Sequence, residues 1–164
     1  AKILGGGLPI GAIAGKQKIM ELFAPNGPVY QAGTFSGNPL SIRAGITALE
    51  QLDKSFYDTL NKKGNLLRLR LKDNIEDLGL NLQVNGIGSM FQIYFNPEPV
   101  TNYTEAKKSD SDLFTDYFHE LLKNGVFIAP SQFECCFLSG AHSDEDLEKT
   151  SYAIEKSLKT IYQK

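Results

Sequence analysis

The chain has 164 residues, of which 41% are hydrophobic and 22% are charged, and its formal net charge is −2. This length predicts one domain, or one domain with part of another, and the apolar fraction is sufficient for a folded core. The slightly negative charge argues against nucleic acid as the main partner, because nucleic-acid binding needs a basic surface. No apolar run is long enough to cross a bilayer, so no membrane partner is expected.

The two cysteines, Cys135 and Cys136, are adjacent in the sequence. Neighbouring residues are poorly placed to form a disulfide with each other. We therefore interpret both as small apolar strand residues of a cytoplasmic protein, in which thiols stay reduced. No cluster of metal-ligand residue types accompanies them, and no metal site is expected.

The first part of the chain, residues 1–36, is rich in glycine, proline and small side chains. This composition predicts a loop-dominated backbone, where catalytic groups tend to lie. Two short elements are expected to interrupt it, a strand at residues 10–14 and a helix at residues 16–23. Asn38 and Pro39 then predict a helix start, because asparagine caps helices and proline suits the first helical position. Apolar spacing extends this helix to about residue 51.

The remainder of the chain alternates between helical and strand patterns. The predicted helices run from residue 55 to 78, from Ser109 or Asp110 to Gly125, and from Ser143 to residue 161. The predicted strands cover residues 80–84, 90–95, 126–129 and 135–138, and residues 96–109 are expected to form an exposed loop. Gly79 provides a helix stop, and Ser143 with Asp146 resembles a capping box.

These elements predict an α/β fold in two parts. Residues 1–54 are expected to be the end of a larger α/β domain. Residues 55–164 are expected to form a small C-terminal α+β domain, in which helices cover one face of a sheet. Because Lys2 has almost no sequence before it to build the other walls of a site, we interpret the chain as the C-terminal portion of a larger protein.

Lys2 leads the segment KILGGGLPIGA at residues 2–12. A deprotonated lysine amine forms a Schiff base with an aldehyde, and pyridoxal phosphate is a cofactor held in this way. Glycines beside the lysine let the backbone and a cofactor approach closely. A lysine followed by glycines is also compatible with an ordinary loop, so this pattern alone is a weak indication.

Two further segments carry candidate site residues. Residues 30–39 read YQAGTFSGNP, in which small hydroxyl residues and glycines lead into a helix N-terminus, an environment that suits a phosphate. Residues 129–134 read APSQFE and are followed by a predicted strand, turn and helix, with Glu134 as a conspicuous carboxylate. Each segment alone is also compatible with an ordinary capped loop or turn.

Taken together and in order, these segments closely resemble the aminomutase branch of the class-III, pyridoxal-phosphate-dependent aminotransferase family. The resemblance covers essentially the whole chain, and GSMF at residues 88–91 resembles a recurrent strand of the family's small domain. It implies a fold-type-I enzyme whose large cofactor-binding domain ends near residue 54. The segment at residues 129–134, continued to Ala141 and His142, is the most discriminating, because ordinary transaminases of the family share the lysine motif more readily.

The resemblance also implies roles for individual residues. Lys2 would hold pyridoxal phosphate covalently and move protons between the substrate and the cofactor. Gly33 and Thr34 would contact the cofactor phosphate of the neighbouring subunit, so a homodimer is implied. Glu134 would lie near the substrate, paired with an arginine from another part of the protein. The implied reaction is the isomerisation of glutamate 1-semialdehyde to 5-aminolevulinate in tetrapyrrole biosynthesis.

The distribution of arginines agrees with the resemblance to the aminomutase branch of the family. The only arginines are Arg43, Arg68 and Arg70, all in predicted helices. Many class-III transaminases bind a substrate carboxylate with an arginine of the small domain, which has no counterpart in the last part of this chain. Glu134 would repel a carboxylate at close range, so we expect the substrate carboxylate to be bound from elsewhere.

Two alternatives stay open at this point. The lysine and phosphate segments also fit a class-III transaminase that acts on an ω-amino substrate and needs an external oxo-acid acceptor. The chain as given also fits a non-catalytic fragment that only dimerises. The family's aspartate for the pyridine nitrogen and most of its phosphate ligands precede the lysine. We therefore expect the isolated chain to bind the cofactor poorly and to be inactive.

Overall fold

The computed structural model of the chain describes residues 3–163. Its helices are α1 (Gln17–Met20), α2 (Pro39–Glu50), α3 (Lys54–Asp77), α4 (Tyr103–Ala106), α5 (Ser111–Lys123) and α6 (Asp144–Tyr162). Its strands are β1 (Gln83–Ile87), β2 (Met90–Tyr94) and β3 (Cys136–Phe137). The chain divides into two compact units, Ala1–Phe56 and Tyr57–Lys164.

The first unit is mostly loop, and α2 is its longest helix. The Asn38 side chain accepts hydrogen bonds from the backbone N–H groups of Leu40 and Ser41, each at 3.1 Å, and this caps α2 as the sequence predicts. The glycine-rich N-terminal loop packs closely against this helix. A Cβ placed on Gly45 of α2 would lie 2.9 Å from the carbonyl oxygen of Leu4, so a glycine is needed at this contact.

The strand predicted at residues 10–14 is absent, and the helix predicted at residues 16–23 is reduced to α1. Ile13 is 60% exposed. Among residues 3–163, the pairing found near this segment is a single bridge between Phe23 and Val29. A strand is stable only when a neighbour satisfies its backbone, and alternating apolar residues alone do not supply one.

The second unit is built on an antiparallel sheet with the strand order β1–β2–β3 within residues 3–163. Val84 of β1 pairs with Ile93 of β2, and Asn85 pairs with Gln92. Successive side chains of a strand point to opposite faces. Val84, Phe91 and Ile93 accordingly join the apolar core, whereas Asn85 and Gln92 lie on the opposite, polar face.

One cluster of buried apolar side chains joins this sheet to α3, α5 and α6, as predicted for a sheet covered by helices. Its members are Leu67, Leu71, Ile75, Leu82, Val84, Phe91, Ile93, Phe95, Phe114, Tyr117, Leu121, Leu147, Ala153, Ile154, Leu158 and Ile161. Burying a side chain of this size stabilises a fold by about 1.5–3 kcal/mol. This cluster is therefore the main source of stability of the second unit.

Two polar contacts lie between helices within this unit. The Asn74 side-chain amide of α3 donates a hydrogen bond to the Ser151 hydroxyl of α6 at 3.2 Å. The Asn124 amide, at the C-terminal end of α5, donates one to the Ser157 hydroxyl at 3.1 Å. Ser151 and Ser157 are both buried, where polar groups are normally hydrogen-bonded, and the Ser157 hydroxyl also donates to the carbonyl of Ala153 at 2.7 Å.

The structure corrects several details of the predicted elements. Residues 96–109 are not an exposed loop, because they contain α4, and Asn96, Val100 and Ser109 are buried. Residues 126–129 form no strand, and the strand predicted at residues 135–138 is limited to β3. These departures depend on contacts between distant segments. For example, the Asn96 side chain donates a hydrogen bond to the carbonyl of Glu105 at 3.2 Å.

Candidate functional site

Lys2, the predicted attachment point for a cofactor, lies outside the described residues. The glycines that follow it form a tight turn, in which the N–H of Gly6 donates to the carbonyl of Ile3 at 3.1 Å. Gly6 and Gly7 have φ values of 58° and 98°, which favour glycine. A Cβ at Gly7 would meet nothing within 4 Å, so this part of the turn is open to an approaching group.

The predicted phosphate loop presents Thr34 on an exposed turn directly before α2. The N–H of Ser36 donates to the carbonyl of Gly33 at 2.9 Å, and Gly37 adopts a left-handed conformation with φ of 69°. Gly33 and Thr34 are both exposed. Because Asn38 already caps two N–H groups of α2, a phosphate would be contacted by the loop itself rather than by those helical amides.

Glu134 projects from a short loop at residues 131–135, which we call the Glu134 loop. Glu134 is exposed, and its N–H donates to the carbonyl of Ser131 at 3.1 Å. The Ser131 hydroxyl accepts a second bond, from the N–H of Phe133 at 3.3 Å. The loop is also tied to the sheet, because the buried Gln92 side chain donates to the carbonyl of Gln132 at 3.0 Å.

An aromatic pair stands beside this loop. The rings of Phe133 and Tyr103 lie 5.6 Å apart at an interplanar angle of 52°, a tilted arrangement that aromatic pairs favour. A cleft of about 250 Å³ opens next to them. The cleft is lined by Asn85, Tyr94, Val100, Thr101, Asn102, Tyr103, Ala106 and Phe133. Glu134 therefore follows directly on a residue that borders a cavity with both apolar and polar walls.

The two adjacent cysteines, one at the end of this loop and one at the start of β3, have different surroundings. Cys135 is exposed, whereas Cys136 is partly buried against the core. Burial, with a smaller contribution from Cys135, raises the pKa of the Cys136 thiol to about 11. On the polar face of the sheet, burial and the nearby Cys135 also raise the pKa of the Tyr94 hydroxyl. The neutral forms of both groups are thus favoured near neutral pH.

The arginines of the second unit are engaged in structural contacts. Arg68 donates from Nη1 to the carbonyls of Gly88 at 2.5 Å and Met90 at 3.1 Å, and so ties the β1–β2 turn to α3. Arg70 forms an ion pair with Glu148 at 3.7 Å. His142 accepts a hydrogen bond at Nδ1 from the backbone N–H of Ser139 at 3.0 Å.

The predicted site residues are divided between the two units. Gly33 and Thr34 lie in the first unit, and Glu134 lies in the second. The sequence did not reveal Gln92 or Tyr103, because neither belongs to a recognisable motif. The polar position of Gln92 within an otherwise apolar buried strand was the available signal. Within residues 3–163, no group of acidic, histidine or cysteine residues is arranged to hold a metal, and no helix is long and apolar enough to cross a membrane.

A sequence profile of aminotransferase class-III matches residues 1–158. The chain belongs to the class-III aminotransferase family. The resemblance inferred from the sequence is therefore confirmed. The chain is 60% identical over 163 residues to glutamate-1-semialdehyde 2,1-aminomutase of Methanobrevibacter smithii, with 99% of the chain and 38% of that relative covered.

Solved structures of family members confirm the α/β fold class. A β-phenylalanine aminotransferase from Variovorax paradoxus has a TM-score of 0.88 at 28% identity, with 98% of this chain and 37% of that chain covered. A transaminase with PLP bound has a TM-score of 0.83 at 27% identity, with coverage of 99% and 37%. The chain thus spans little more than a third of the length of the proteins that it matches.

Proposed function

We propose that this chain is the C-terminal portion of a pyridoxal-phosphate-dependent aminomutase. The complete enzyme would isomerise (S)-4-amino-5-oxopentanoate, which is glutamate 1-semialdehyde, to 5-aminolevulinate for tetrapyrrole biosynthesis. The observation that carries this proposal is the 60% identity over 99% of the chain to a relative of that name.

The residues present fit a pyridoxal phosphate cofactor. The turn at Gly6 and Gly7 is open on one side, and the loop at Gly33 and Thr34 exposes a hydroxyl and backbone groups that suit a phosphate. When bound, the cofactor supplies an electron sink and carries the amino group. Lys2 would hold it covalently and move protons at the reacting carbons, while Thr34 would bind its phosphate.

Glu134 would act on the substrate side of the site. Its carboxylate is exposed on a loop that hydrogen bonds hold in place, and no arginine is among the residues that line the adjoining cleft. A carboxylate at this position favours a cationic neighbour and disfavours a second carboxylate. Glu134 would therefore pair with an arginine from another part of the protein, and the substrate carboxylate would be bound elsewhere.

The same proposal assigns a role to each part of the chain. Residues 1–54 would be the end of the large cofactor-binding domain, and residues 55–164 would be the small C-terminal domain. Thr34 would contact the cofactor of the neighbouring subunit, so the active enzyme would be a cytoplasmic homodimer. The family membership and the exposure of the Thr34 loop support this assignment.

A second candidate is a class-III transaminase that acts on ω-amino substrates. The similarity to a β-phenylalanine aminotransferase structure, at 28% identity, supports it. The two reactions differ in one requirement. A transaminase needs an exogenous oxo-acid as amino acceptor, whereas an aminomutase converts its substrate without one. Activity measured with and without an added oxo-acid therefore separates them.

The proposal is tested on the complete enzyme that contains this segment. Borohydride reduction should attach the cofactor irreversibly to Lys2, and peptide mapping should locate it there. Lys2→Ala should remove the attachment and almost all formation of 5-aminolevulinate, whereas Lys18→Ala, a change of an exposed lysine in α1, should leave both intact. Wild-type turnover in the Lys2→Ala enzyme, or attachment at another lysine, would contradict the proposal.

A further inference from the structure

We propose that Gln92 is a positioning residue that holds the Glu134 loop at a fixed distance above the sheet. This inference rests on the proposed function, because it concerns the carboxylate assigned to the substrate side of the site. Gln92 does not touch a substrate in this proposal. It acts through the loop backbone, and so determines where the Glu134 carboxylate stands.

The position of Gln92 in the sheet is the first argument. It lies in the central strand β2, on the face opposite the core, and is only 7% exposed. Burying a side-chain amide is unfavourable unless the amide is hydrogen-bonded. The donor group of Gln92 is directed to the loop, to the carbonyl of Gln132 at 3.0 Å.

The second argument is that contacts with β2 lie on both sides of Glu134. The carbonyl of Gln132, two residues before it, accepts the bond from Gln92. The Cys136 thiol, two residues after it, lies 3.7 Å from Oε1 of Gln92 as a weaker contact. The Cys135 thiol also lies 3.5 Å from the carbonyl of Phe91. The exposed Glu134 therefore stands between two points that are fastened to the same strand.

The third argument is an unsatisfied group in the loop. The Gln132 side chain is 8% exposed, and its Oε1 has no hydrogen-bond partner within residues 3–163. An unpaired buried acceptor destabilises a fold. The bond from Gln92 is thus the hydrogen bond that ties this buried residue to the sheet.

The test uses Gln92→Met in the complete enzyme, because methionine has nearly the shape of glutamine but cannot donate to the Gln132 carbonyl. Losing one such bond corresponds to about a tenfold change in an equilibrium. We expect KM to rise about tenfold with kcat within about twofold of wild type, since the loop would bind substrate less well without altering the chemistry. Glu134→Gln should raise KM at least as much, and the double variant should add little to it.

The matched control is Gln83→Met. Gln83 lies on the same face of the neighbouring strand and donates to the carbonyl of Pro97 at 3.1 Å, away from the Glu134 loop. It should leave KM unchanged. If Gln92→Met does not fold, Gln92→Asn carries the same expectation, because its shorter amide does not reach Gln132.

A second readout does not depend on activity. Amide hydrogen exchange at residues 133–136 should accelerate about tenfold in Gln92→Met and stay at the wild-type rate in Gln83→Met. Unchanged exchange at these amides, or an unchanged KM where Glu134→Gln raises it, overturns the inference. If Glu134→Gln itself leaves KM unchanged, the proposed role of Glu134 fails, and the exchange measurement alone then decides whether Gln92 holds the loop.

Discussion

At the scale of single residues, the adjacent cysteines show how strongly surroundings separate two identical side chains. Both were interpreted as small apolar strand residues, but only Cys136 lies in a strand. Cys136 packs against the core, and burial raises the pKa of its thiol to about 11. Cys135 is exposed in the Glu134 loop. Since the thiolate is the reactive form, the two should react at very different rates.

Iodoacetamide at pH 8 should therefore modify the chain once, at Cys135. Cys136 should react appreciably only as the pH approaches 11, where its thiolate begins to form, or after denaturation. Mass spectrometry of the intact chain and of its peptides measures both events, with Cys135→Ser as the control that should stay unmodified at pH 8. Equal labelling of the two cysteines at pH 8 would contradict the described burial.

At the scale of elements, α6 illustrates a helix whose start is specified locally. The Ser143 hydroxyl accepts a bond from the N–H of Asp146 at 3.1 Å, and the Asp146 carboxylate accepts one from the N–H of Ser143 at 2.8 Å. This is the reciprocal capping box that the sequence predicts. The bonds from the Ser143 hydroxyl and backbone hold the pKa of Asp146 below its ordinary value.

Ser143→Ala should lower the free energy of unfolding by about 1 kcal/mol at neutral pH, because an N-cap is lost. The Asp146 pKa is depressed in the folded state, so its stabilising effect is present above the unfolded pKa of about 4 and is lost as the pH falls through the folded value. The difference in free energy of unfolding between Ser143→Ala and wild type should therefore become smaller below about pH 4. Denaturation at several pH values measures it, with the exposed Ser55→Ala as control.

The helix α3 contains a glycine for a reason that lies outside the helix. Glycine lowers helix stability by about 1 kcal/mol relative to alanine, so Gly64 by itself weakens α3 locally. In the structure, a Cβ at Gly64 would collide with the backbone carbonyl of Gly88 in the β1–β2 turn. The same turn is held by Arg68. Gly64 thus allows a close approach between α3 and the sheet.

Gly64→Ala should consequently destabilise the chain by about 1–3 kcal/mol, the typical effect of overpacking, although alanine is the better helix former. Chemical denaturation followed by circular dichroism measures this difference. Lys62→Ala, at an exposed position of the same helix, should change stability little. A more stable Gly64→Ala chain would mean that helix propensity outweighs the contact with the turn.

At the scale of the whole chain, the two units bury apolar residues to different extents. The second unit has a continuous core, whereas the first exposes large apolar side chains, among them Tyr30 at 82%, Leu40 at 69% and Phe35 at 60%. Contiguous apolar surface on a soluble protein usually marks a contact with something else. This agrees with a chain that covers 38% of a longer relative.

The isolated chain should therefore bind a hydrophobic dye and self-associate at micromolar concentration. A chain limited to residues 57–164 should bind less dye, because it keeps the buried core, although Ile87, Phe127 and Phe137 are exposed there as well. Dye fluorescence and light scattering compare the two. Equal dye binding by both would indicate that the exposed side chains of residues 3–56 do not form an accessible surface.

The isolated chain should also lack stoichiometric cofactor binding and turnover. It contributes Lys2, Gly33 and Thr34 to the proposed cofactor site, while the remaining contacts would come from other parts of the enzyme. Absorbance after gel filtration with pyridoxal phosphate measures binding, and the complete enzyme provides the positive control. Full occupancy and activity in the isolated chain would show that the missing parts are dispensable.

The sequence alone predicted those features of the fold that depend on contacts between neighbouring residues. Asn38, Asp110 and Ser143 cap helices as predicted, because a capping side chain bonds to amides only two or three residues away. Pairing between distant segments could not be inferred in this way. The absent strands at residues 10–14 and 126–129 have the right composition but no neighbour that completes them.

The same distinction between local and distant contacts applies to the candidate site. Thr34 and Glu134 were identified from motifs and lie on exposed turns, where a short run of sequence determines the backbone. The bond from Gln92 to the Glu134 loop joins residues 40 positions apart. No local pattern predicts such a contact, because it depends on how β2 and the loop pack together.

The polar contacts of α6 determine its position along its own axis. Moving this helix by one turn, about 5.4 Å, would separate Ser151 from Asn74 and Ser157 from Asn124 at the same time. Both hydrogen bonds would then be lost, at about 0.5–1.5 kcal/mol apiece. An interface made only of apolar side chains would allow several axial positions of α6 with similar energies. The two asparagines therefore favour one axial position of α6 relative to α3 and α5.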